Sequence, residues 1–213
     1  MQNNIKAIIF DMDGVLIEAK DWHYEALNRA LGLFGFNISR HDHLVTYDGL
    51  PTKRKLEMLS EDQGLPRDLH KFINQLKQSY TMELISVHCK PVFFHEYALS
   101  RLSAEGYRLA CASNSIKETI DVMLSKSNLL DYMEVVLSAD DVKQPKPSPE
   151  IYIKSMEQLS LLPHECLIVE DNEKGIKAAK ESGGHVMEIK DIDEVNITNI
   201  KEKIKKIEAR PIK

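Results

Sequence analysis

Four short apolar runs, each followed by a polar cluster, constrain the fold of this chain most strongly. They have the length and β-branched content of buried parallel strands and cover residues 6–10, 108–112, 135–138 and 166–169. A helical pattern follows each of the last three runs, at residues 116–125, 149–158 and 173–182. Strands that alternate with helices predict an α/β fold with a doubly wound parallel sheet, whose sites lie at the carboxyl ends of the strands.

A helical block interrupts this alternation after the first run. Residues 17–89 show helical patterns almost throughout, mainly at residues 21–34, 52–60 and 68–84. We therefore predict an α/β catalytic core made of residues 1–16 and 90–213, and an inserted α-helical cap made of residues 17–89. Isoleucines at positions 197, 200, 204 and 207 predict one more helix, which packs on the core.

Composition excludes several classes of partner. The formal net charge is −5, which gives no general attraction to nucleic acids or to anionic membranes. The first apolar run ends at Asp11, so it does not resemble a secretory leader, and no stretch approaches the roughly 20 apolar residues of a membrane span. The three cysteines lack metal-ligand spacing and are expected to be reduced. We predict a cytoplasmic monomer.

The first polar cluster contains Asp11 and Asp13, directly after the first strand. Two carboxylates separated by one residue can divide the work of phosphoryl transfer. One attacks phosphorus, while the other protonates the leaving oxygen and later deprotonates water. Gly14 permits the sharp backbone turn that follows. The pattern Asp-x-Asp-Gly at residues 11–14 is also a common turn signal, so this cluster alone leaves both interpretations open.

The second cluster contains Ser113 and Asn114, after the second strand. A hydroxyl and adjacent backbone N–H groups at the N-terminus of a helix suit a phosphoryl oxygen. The alternative is that Ser115 caps the helix and nothing more.

The third cluster is Lys146, which lies between two prolines. The prolines stiffen the loop, so the lysine is presented with little freedom. A fixed ammonium group could hold the Asp11 carboxylate and a phosphate together. The alternative is an ordinary solvated lysine in a loop.

The fourth cluster contains Glu170 and Asp171, after the last of the four runs. Carboxylates at a buried strand end offer the hard oxygen ligands that Mg²⁺ prefers. The alternative is a cap for the helix that starts near Glu173. Since all four clusters follow predicted strands of one parallel sheet, we expect them to line one crevice.

The motifs together resemble those of the haloacid dehalogenase-like superfamily, in subfamily I, whose members carry a helical cap inserted after the first strand. The resemblance covers nearly the whole chain. The four motifs are present here as Asp11-Met12-Asp13-Gly14-Val15, Ser113, Lys146 with Pro147, and Glu170-Asp171.

This resemblance implies roles for individual residues. Asp11 corresponds to the nucleophile and Asp13 to the general acid and base. The Mg²⁺ ligands would be Asp11, the main-chain carbonyl of Asp13, and Asp171, with Glu170 as a further candidate. The dehalogenases of the superfamily work without metal and lack the second aspartate, so the presence of Asp13 favours phosphoryl transfer. We predict a Mg²⁺-dependent phosphatase that forms an aspartyl-phosphate intermediate.

A sugar phosphomutase of the β-phosphoglucomutase type is the alternative. His23 falls where that enzyme has a functional histidine. The mutase also has a cap lysine and a cap arginine where this chain has Asp48 and Thr52, although Lys53 lies beside the second position. A mutase must hold the distal phosphate of a bisphosphate, and replacing a lysine by Asp48 works against this.

A catalytically idle binding module is the third hypothesis. Such a protein is expected to have lost Asp11, Asp13 or Lys146, and this chain retains all three. We therefore predict an enzyme.

The partner that we predict is a small phosphate monoester, such as a sugar phosphate. Residues expected to bind the substrate are Ser113, Asn114 and Gly14 in the core, and His23 and Lys53 in the cap.

Overall fold

The computed structural model describes residues 4–209, which divide into two compact units. The core unit contains residues 4–18 and 90–209, and the helical unit contains residues 19–89. The sequence analysis placed the first boundary at residue 17.

The core unit is built around a parallel sheet of five strands in the order β3-β2-β1-β4-β5. The strands are β1 (Ala7–Phe10), β2 (Arg108–Ala112), β3 (Val135–Leu137), β4 (Cys166–Glu170) and β5 (His185–Glu188). All residues of β1 and β4 are buried, as expected for central strands that are covered on both faces. The predicted α/β fold class is confirmed.

Strand register brings the predicted clusters to one edge of the sheet. Phe10, the last residue of β1, pairs with Cys111 of β2 and with Val169 of β4. The chain leaves β1 at Asp11, whose N–H still donates to the carbonyl of Val169 at 3.0 Å. The polar residues that follow these three strands therefore begin at nearly the same level of the sheet.

Nine α-helices are present in residues 4–209. The helical unit contains α1 (Lys20–Gly32), α2 (Arg40–Asp42), α3 (Thr52–Gln63) and α4 (His70–His88). The core unit contains α5 (Phe93–Ala104), α6 (Lys117–Lys126), α7 (Glu150–Gln158), α8 (Glu173–Glu181) and α9 (Ile197–Glu208).

The sequence analysis did not predict α5 and β5. The first turn of α5 exposes Phe93, Phe94 and Tyr97, so its apolar residues do not form one clear stripe. Strand β5 has the sequence His-Val-Met-Glu, which lacks a β-branched run. These two elements contact α9, whose Ile200, Ile204 and Ile207 are buried as the isoleucine pattern predicted.

His95 of α5 connects two separate segments of the core unit. Its side chain is buried, with Nδ1 3.0 Å from the carbonyl oxygen of Leu16 and Nε2 3.0 Å from that of Ile192. The ring therefore lies between the loop after β1 and the short turn after β5.

The helical unit has its own apolar core. Helices α1 and α4 pack together, and α3 joins them. The buried apolar side chains of this unit include Leu27, Leu31, Leu56, Leu59 and Ile73. A π-helical turn, His43–Tyr47, follows α2.

All three cysteines of the chain are buried. Among residues 4–209, no helix has both the length and the apolar character needed to cross a membrane.

Candidate active site

Asp11 and Lys146 form a buried ion pair at the carboxyl end of β1. The Lys146 side chain is 3% exposed and that of Asp11 is 7% exposed, with Nζ 2.6 Å from Oδ1. Lys146 Nζ also donates to the carbonyl of Ala112 at 2.8 Å and to Oε1 of Glu170 at 2.7 Å. These three contacts use all three N–H bonds of the ammonium group, so its position is fixed.

The main chain of Lys146 is fixed as well. Asn114 accepts the Lys146 N–H through Oδ1 at 3.0 Å and donates to the Lys146 carbonyl through Nδ2 at 3.1 Å. Asn114, which was predicted to bind phosphate, thus positions the main chain of Lys146, a contact that the sequence did not indicate. Its contact with phosphate stays a prediction.

Asp13 is half-buried and contacts two serine hydroxyls. Its Oδ2 accepts from Ser115 Oγ at 2.9 Å and from Ser113 Oγ at 3.4 Å. Ser113 Oγ in turn accepts the N–H of Ser115 at 3.0 Å. Gly14 follows with φ of +89°, a backbone conformation that favours glycine and that allows the predicted turn.

Ser115 is a functional candidate that the sequence analysis missed. It was considered only as a helix cap, but α6 begins after Ile116, which occupies the cap position. The hydroxyl of Ser115 is therefore available to orient Asp13. Two hydroxyl residues flanking Asn114 at a strand end were the signal that could have identified it.

Glu170 and Asp171 end β4 beside the N-terminus of α8. Glu170 Oε2 accepts from the N–H of Asp171 at 3.2 Å, while Asn172 caps the helix by accepting from the N–H of Gly175. A Cβ at position 175 would lie 1.9 Å from Glu170 Oε1. Only glycine therefore allows α8 to approach the carboxylate this closely.

The site carries an excess of negative charge, and this alters the pKa values of its groups. Burial raises the pKa of Asp11 well above its ordinary range, and Glu170, Asp171 and Asp13 raise it further, while Lys146 opposes them. Burial alone would lower the pKa of Lys146, but Asp11 and Glu170 outweigh it and raise that pKa. Four carboxylates thus meet one ammonium group.

This donor set fits a hard divalent cation. Asp11, Glu170 and Asp171 each offer a carboxylate oxygen, and these oxygens lie within 4.8 Å of one another. Small hard cations such as Mg²⁺ bind one or two carboxylates together with water and phosphate oxygens. Both carboxylate oxygens of Glu170 already accept hydrogen bonds, Oε1 from Lys146 and Oε2 from the N–H of Asp171, whereas Lys146 contacts only Oδ1 of Asp11. Asp11 and Asp171 are therefore better placed than Glu170 to serve as ligands.

In the helical unit, the predicted substrate residues occupy different environments. His23 is half-buried in α1, and its Nδ1 lies 3.2 Å from Nζ of Lys77 in α4. Lys53 is exposed, whereas Lys55, two residues further along α3, is buried. The sequence analysis did not consider Lys55 or Lys77, since nothing in the sequence connects position 77 with position 23.

Comparisons with known proteins agree with this architecture. A phosphorylated carbohydrates phosphatase from Thermotoga maritima is 28% identical, over 84% of this chain and 82% of that protein. A phosphoglycolate phosphatase from Aquifex aeolicus is 29% identical, with the same coverage. The crystal structure of a β-phosphoglucomutase from Clostridium difficile shares the fold, with a TM-score of 0.84 and 22% identity, over 97% of this chain and 100% of that one.

A family model matches the chain over most of its length. The matched segment, residues 8–189, begins in β1 and includes Asp11, Ser113, Lys146 and Asp171. The chain therefore belongs to the haloacid dehalogenase-like hydrolase family.

Proposed function

We propose that this protein is a Mg²⁺-dependent phosphatase that hydrolyses a small phosphate monoester through an aspartyl-phosphate on Asp11. The observation that carries the proposal is the buried contact of Lys146 with Asp11, beside Asp13 and the carboxylates of Glu170 and Asp171. In this proposal the helical unit serves as the cap domain.

Lys146 is proposed to allow attack by Asp11 on phosphorus by reducing the repulsion between the carboxylate and the phosphate. A carboxylate and a phosphate dianion repel each other at contact distance by several kcal/mol in a partly desolvated site, on the order of the Coulomb energies at intermediate dielectric. The ammonium of Lys146, fixed by three acceptors, offsets this repulsion without reorganising during the reaction. Mg²⁺, held by Asp11, Asp171 and the Asp13 carbonyl, would supply further positive charge for the phosphoryl oxygens.

Asp13 handles the proton in both half-reactions. It protonates the leaving alkoxide when Asp11 attacks, and it later takes a proton from the water that hydrolyses the aspartyl-phosphate. The hydroxyl of Ser115 orients its carboxyl group by donating to Oδ2 at 2.9 Å, whereas the Ser113 hydroxyl lies 3.4 Å from the same oxygen and can turn towards a phosphate. Ser113 and neighbouring N–H groups are proposed to bind the phosphoryl oxygens.

A phosphorylated sugar or another small phosphorylated metabolite is the proposed class of substrate. The support comes from relatives whose names give carbohydrate phosphates and phosphoglycolate as substrates. The cytoplasmic location and the monomeric state remain predictions.

The decisive experiment is a phosphate-release screen over a panel of metabolite monophosphates and a generic aryl phosphate, with and without Mg²⁺. We expect release from the aryl phosphate and from at least one sugar phosphate, and its abolition by EDTA. Matched assays with Asp11→Asn control for a contaminating phosphatase. Undiminished activity in metal-free buffer would refute the metal assignment, and inactivity over the whole panel would refute the phosphatase.

A phosphomutase remains a second candidate because of two lysines in the helical unit. The sequence argument against a mutase was that Asp48 and Thr52 supply no cation for a distal phosphate. Lys55, which is buried, and Lys77, beside His23, are cations which that argument did not include.

The two candidates differ in the fate of the phosphoenzyme, which water attacks in a phosphatase and a second substrate hydroxyl attacks in a mutase. The test is to incubate β-glucose 1-phosphate with Mg²⁺, with and without β-glucose 1,6-bisphosphate. We expect inorganic phosphate to appear in step with glucose. Primer-dependent glucose 6-phosphate, formed faster than phosphate, would establish the mutase.

A further inference from the structure

Tyr152 contacts both partners of the buried ion pair between Lys146 and Glu170. This residue of α7 is fully buried, and its hydroxyl donates to Oε1 of Glu170. The same oxygen accepts from Lys146 Nζ. The Lys146 ammonium also lies 4.7 Å from the centroid of the Tyr152 ring. One side chain thus presents its ring to the cation and its hydroxyl to the anion.

Glu170 has no exposed surface, so its carboxylate oxygens find their hydrogen-bond partners within the protein. Its Oε1 accepts from Lys146 and Tyr152, and its Oε2 accepts from the Asp171 N–H and from Asn172 Nδ2 at 3.4 Å. A buried carboxylate is costly unless hydrogen bonds surround it. Oε1 of Glu170 therefore has two donors, the Lys146 ammonium and the Tyr152 hydroxyl. Removing the tyrosine hydroxyl leaves Lys146 as its one donor among these contacts.

We propose that Tyr152 is a positioning residue, whose hydroxyl fixes Glu170 so that Lys146 is held at the attacking carboxylate of Asp11. This inference rests on the proposed phosphatase function. Lys146 is shared between two carboxylates, at 2.6 Å from Asp11 and 2.7 Å from Glu170. Without the tyrosine hydroxyl, Glu170 draws more strongly on Lys146, and the ammonium moves away from Asp11.

The variant that isolates this contact is Tyr152→Phe, which keeps the ring beside Lys146 and removes only the hydroxyl. We expect kcat to fall about tenfold, the size of effect that follows from losing one hydrogen bond to a charged group. KM should stay within about twofold, because the variant changes no group proposed to bind the substrate. The matched control is Tyr132→Phe, at a half-buried tyrosine of the core unit outside the site, and it should leave both constants unchanged.

A double-mutant cycle tests whether Tyr152 acts through Lys146. Tyr152→Phe, Lys146→Met and the double variant are compared by the kcat for the aryl phosphate and by urea unfolding. We expect the kcat effect of Tyr152→Phe to vanish when Lys146 is already replaced, and the two substitutions to be non-additive in unfolding.

Each outcome decides the inference. A wild-type kcat in Tyr152→Phe, or a full tenfold loss in the Lys146→Met background, would overturn it. Additive unfolding effects would overturn it even in a protein without phosphatase activity. Conversely, non-additive unfolding in a protein that releases no phosphate from any substrate would support the positioning contact while refuting the proposed function.

Discussion

Two buried histidines, one in each unit, differ in the partners of their ring nitrogens. His95 in the core unit is 1% exposed and His43 in the helical unit is 2% exposed. Each ring nitrogen of His95 lies 3.0 Å from a main-chain carbonyl oxygen. Neither ring nitrogen of His43 has a hydrogen-bond partner within residues 4–209, and its ring packs beside that of Tyr24 at 4.8 Å between centroids.

The difference concerns the free-energy cost of burying polar atoms. Leaving a buried polar group without a hydrogen bond costs about 1–3 kcal/mol. At His95 the core unit places a carbonyl acceptor beside each ring nitrogen, so the ring N–H has a partner. The helical unit bears the cost at His43, the first residue of a π-helical turn, a geometry that often marks functional segments.

The largest predicted effect concerns the nucleophile. Asp11→Asn should lower turnover at least about a thousandfold, because an amide of similar size cannot form the phosphoester. The fold should persist, as judged by an unchanged circular dichroism spectrum. Turnover within tenfold of wild type would show that Asp11 is not the nucleophile. The buried contact of Lys146 with Asp11 would then not serve nucleophilic attack.

Lys146→Ala should lose roughly 2–4 kcal/mol of transition-state stabilisation, the range found on removing one preorganised electrostatic group. The loss should affect mainly kcat, since the lysine contacts the attacking carboxylate. The measurement is steady-state kinetics with an aryl phosphate. A change in KM alone would make Lys146 a binding residue.

Replacing the two histidines by leucine tests the comparison directly. His95→Leu removes the ring N–H that donates to a main-chain carbonyl and should destabilise the protein by about 1–3 kcal/mol. His43→Leu removes two unsatisfied nitrogens and should be neutral or stabilising by about 1 kcal/mol. Circular dichroism in urea follows the unfolding of both units, and the fluorescence of Trp22, the one tryptophan of the sequence, reports on the helical unit because it lies in α1. Equal destabilisation by both substitutions would remove the contrast between the units.

The helical unit should also be sensitive to acid at His43. Burial, aided by Lys55, lowers the pKa of His43 from 6.5 to about 4. The folded protein then binds fewer protons than the unfolded chain between these values. This contribution is therefore fully present above pH 6.5 and is lost as the pH falls towards 4.

Between pH 7 and pH 5 the loss from His43 amounts to roughly 1.8 kcal/mol, since one pKa unit corresponds to 1.36 kcal/mol and the unfolded chain titrates around pH 6.5. The measurement is the urea midpoint from Trp22 fluorescence at pH 7 and at pH 5, for wild type and His43→Leu. The difference between the two midpoints should be smaller in the variant. An equal drop in both proteins would assign the acid sensitivity to other groups.

The residues that meet at the edge of the sheet could be predicted from the sequence, but the contacts among their side chains could not. The core site was predictable because its residues follow strands, and parallel pairing brings the ends of β1, β2 and β4 to one edge. The contacts of Asn114, Ser115 and Tyr152 were not predictable, because they depend on side-chain directions from loops and from α7. A sequence that shows which residues reach the edge does not show which of them bind each other.

In the helical unit, periodicity predicted helices but not their contacts. The pairing of His23 with Lys77 depends on how α1 packs against α4, across 54 positions of sequence. The unusual turn at His43–Tyr47 has no local signal, because its residues are ordinary in helices. Apolar periodicity was sufficient to predict the helices, whereas the polar contacts between them are seen only in the folded structure.

The smallest predicted effect compares two lysines of the helical unit as substrate ligands. Lys53 was chosen from the sequence, but it is exposed, whereas Lys77 is half-buried with Nζ 3.2 Å from His23 Nδ1. An ammonium that is already held loses less side-chain entropy on binding a phosphate oxygen than an exposed one does. We expect Lys77→Met to raise KM about fivefold, or roughly 1 kcal/mol, with little change in kcat. Lys53→Met should change KM less than twofold. The measurement is KM for the best substrate of the panel. A larger effect at Lys53 would reverse the ranking, and silence at both positions would mean that the helical unit binds the substrate through other residues.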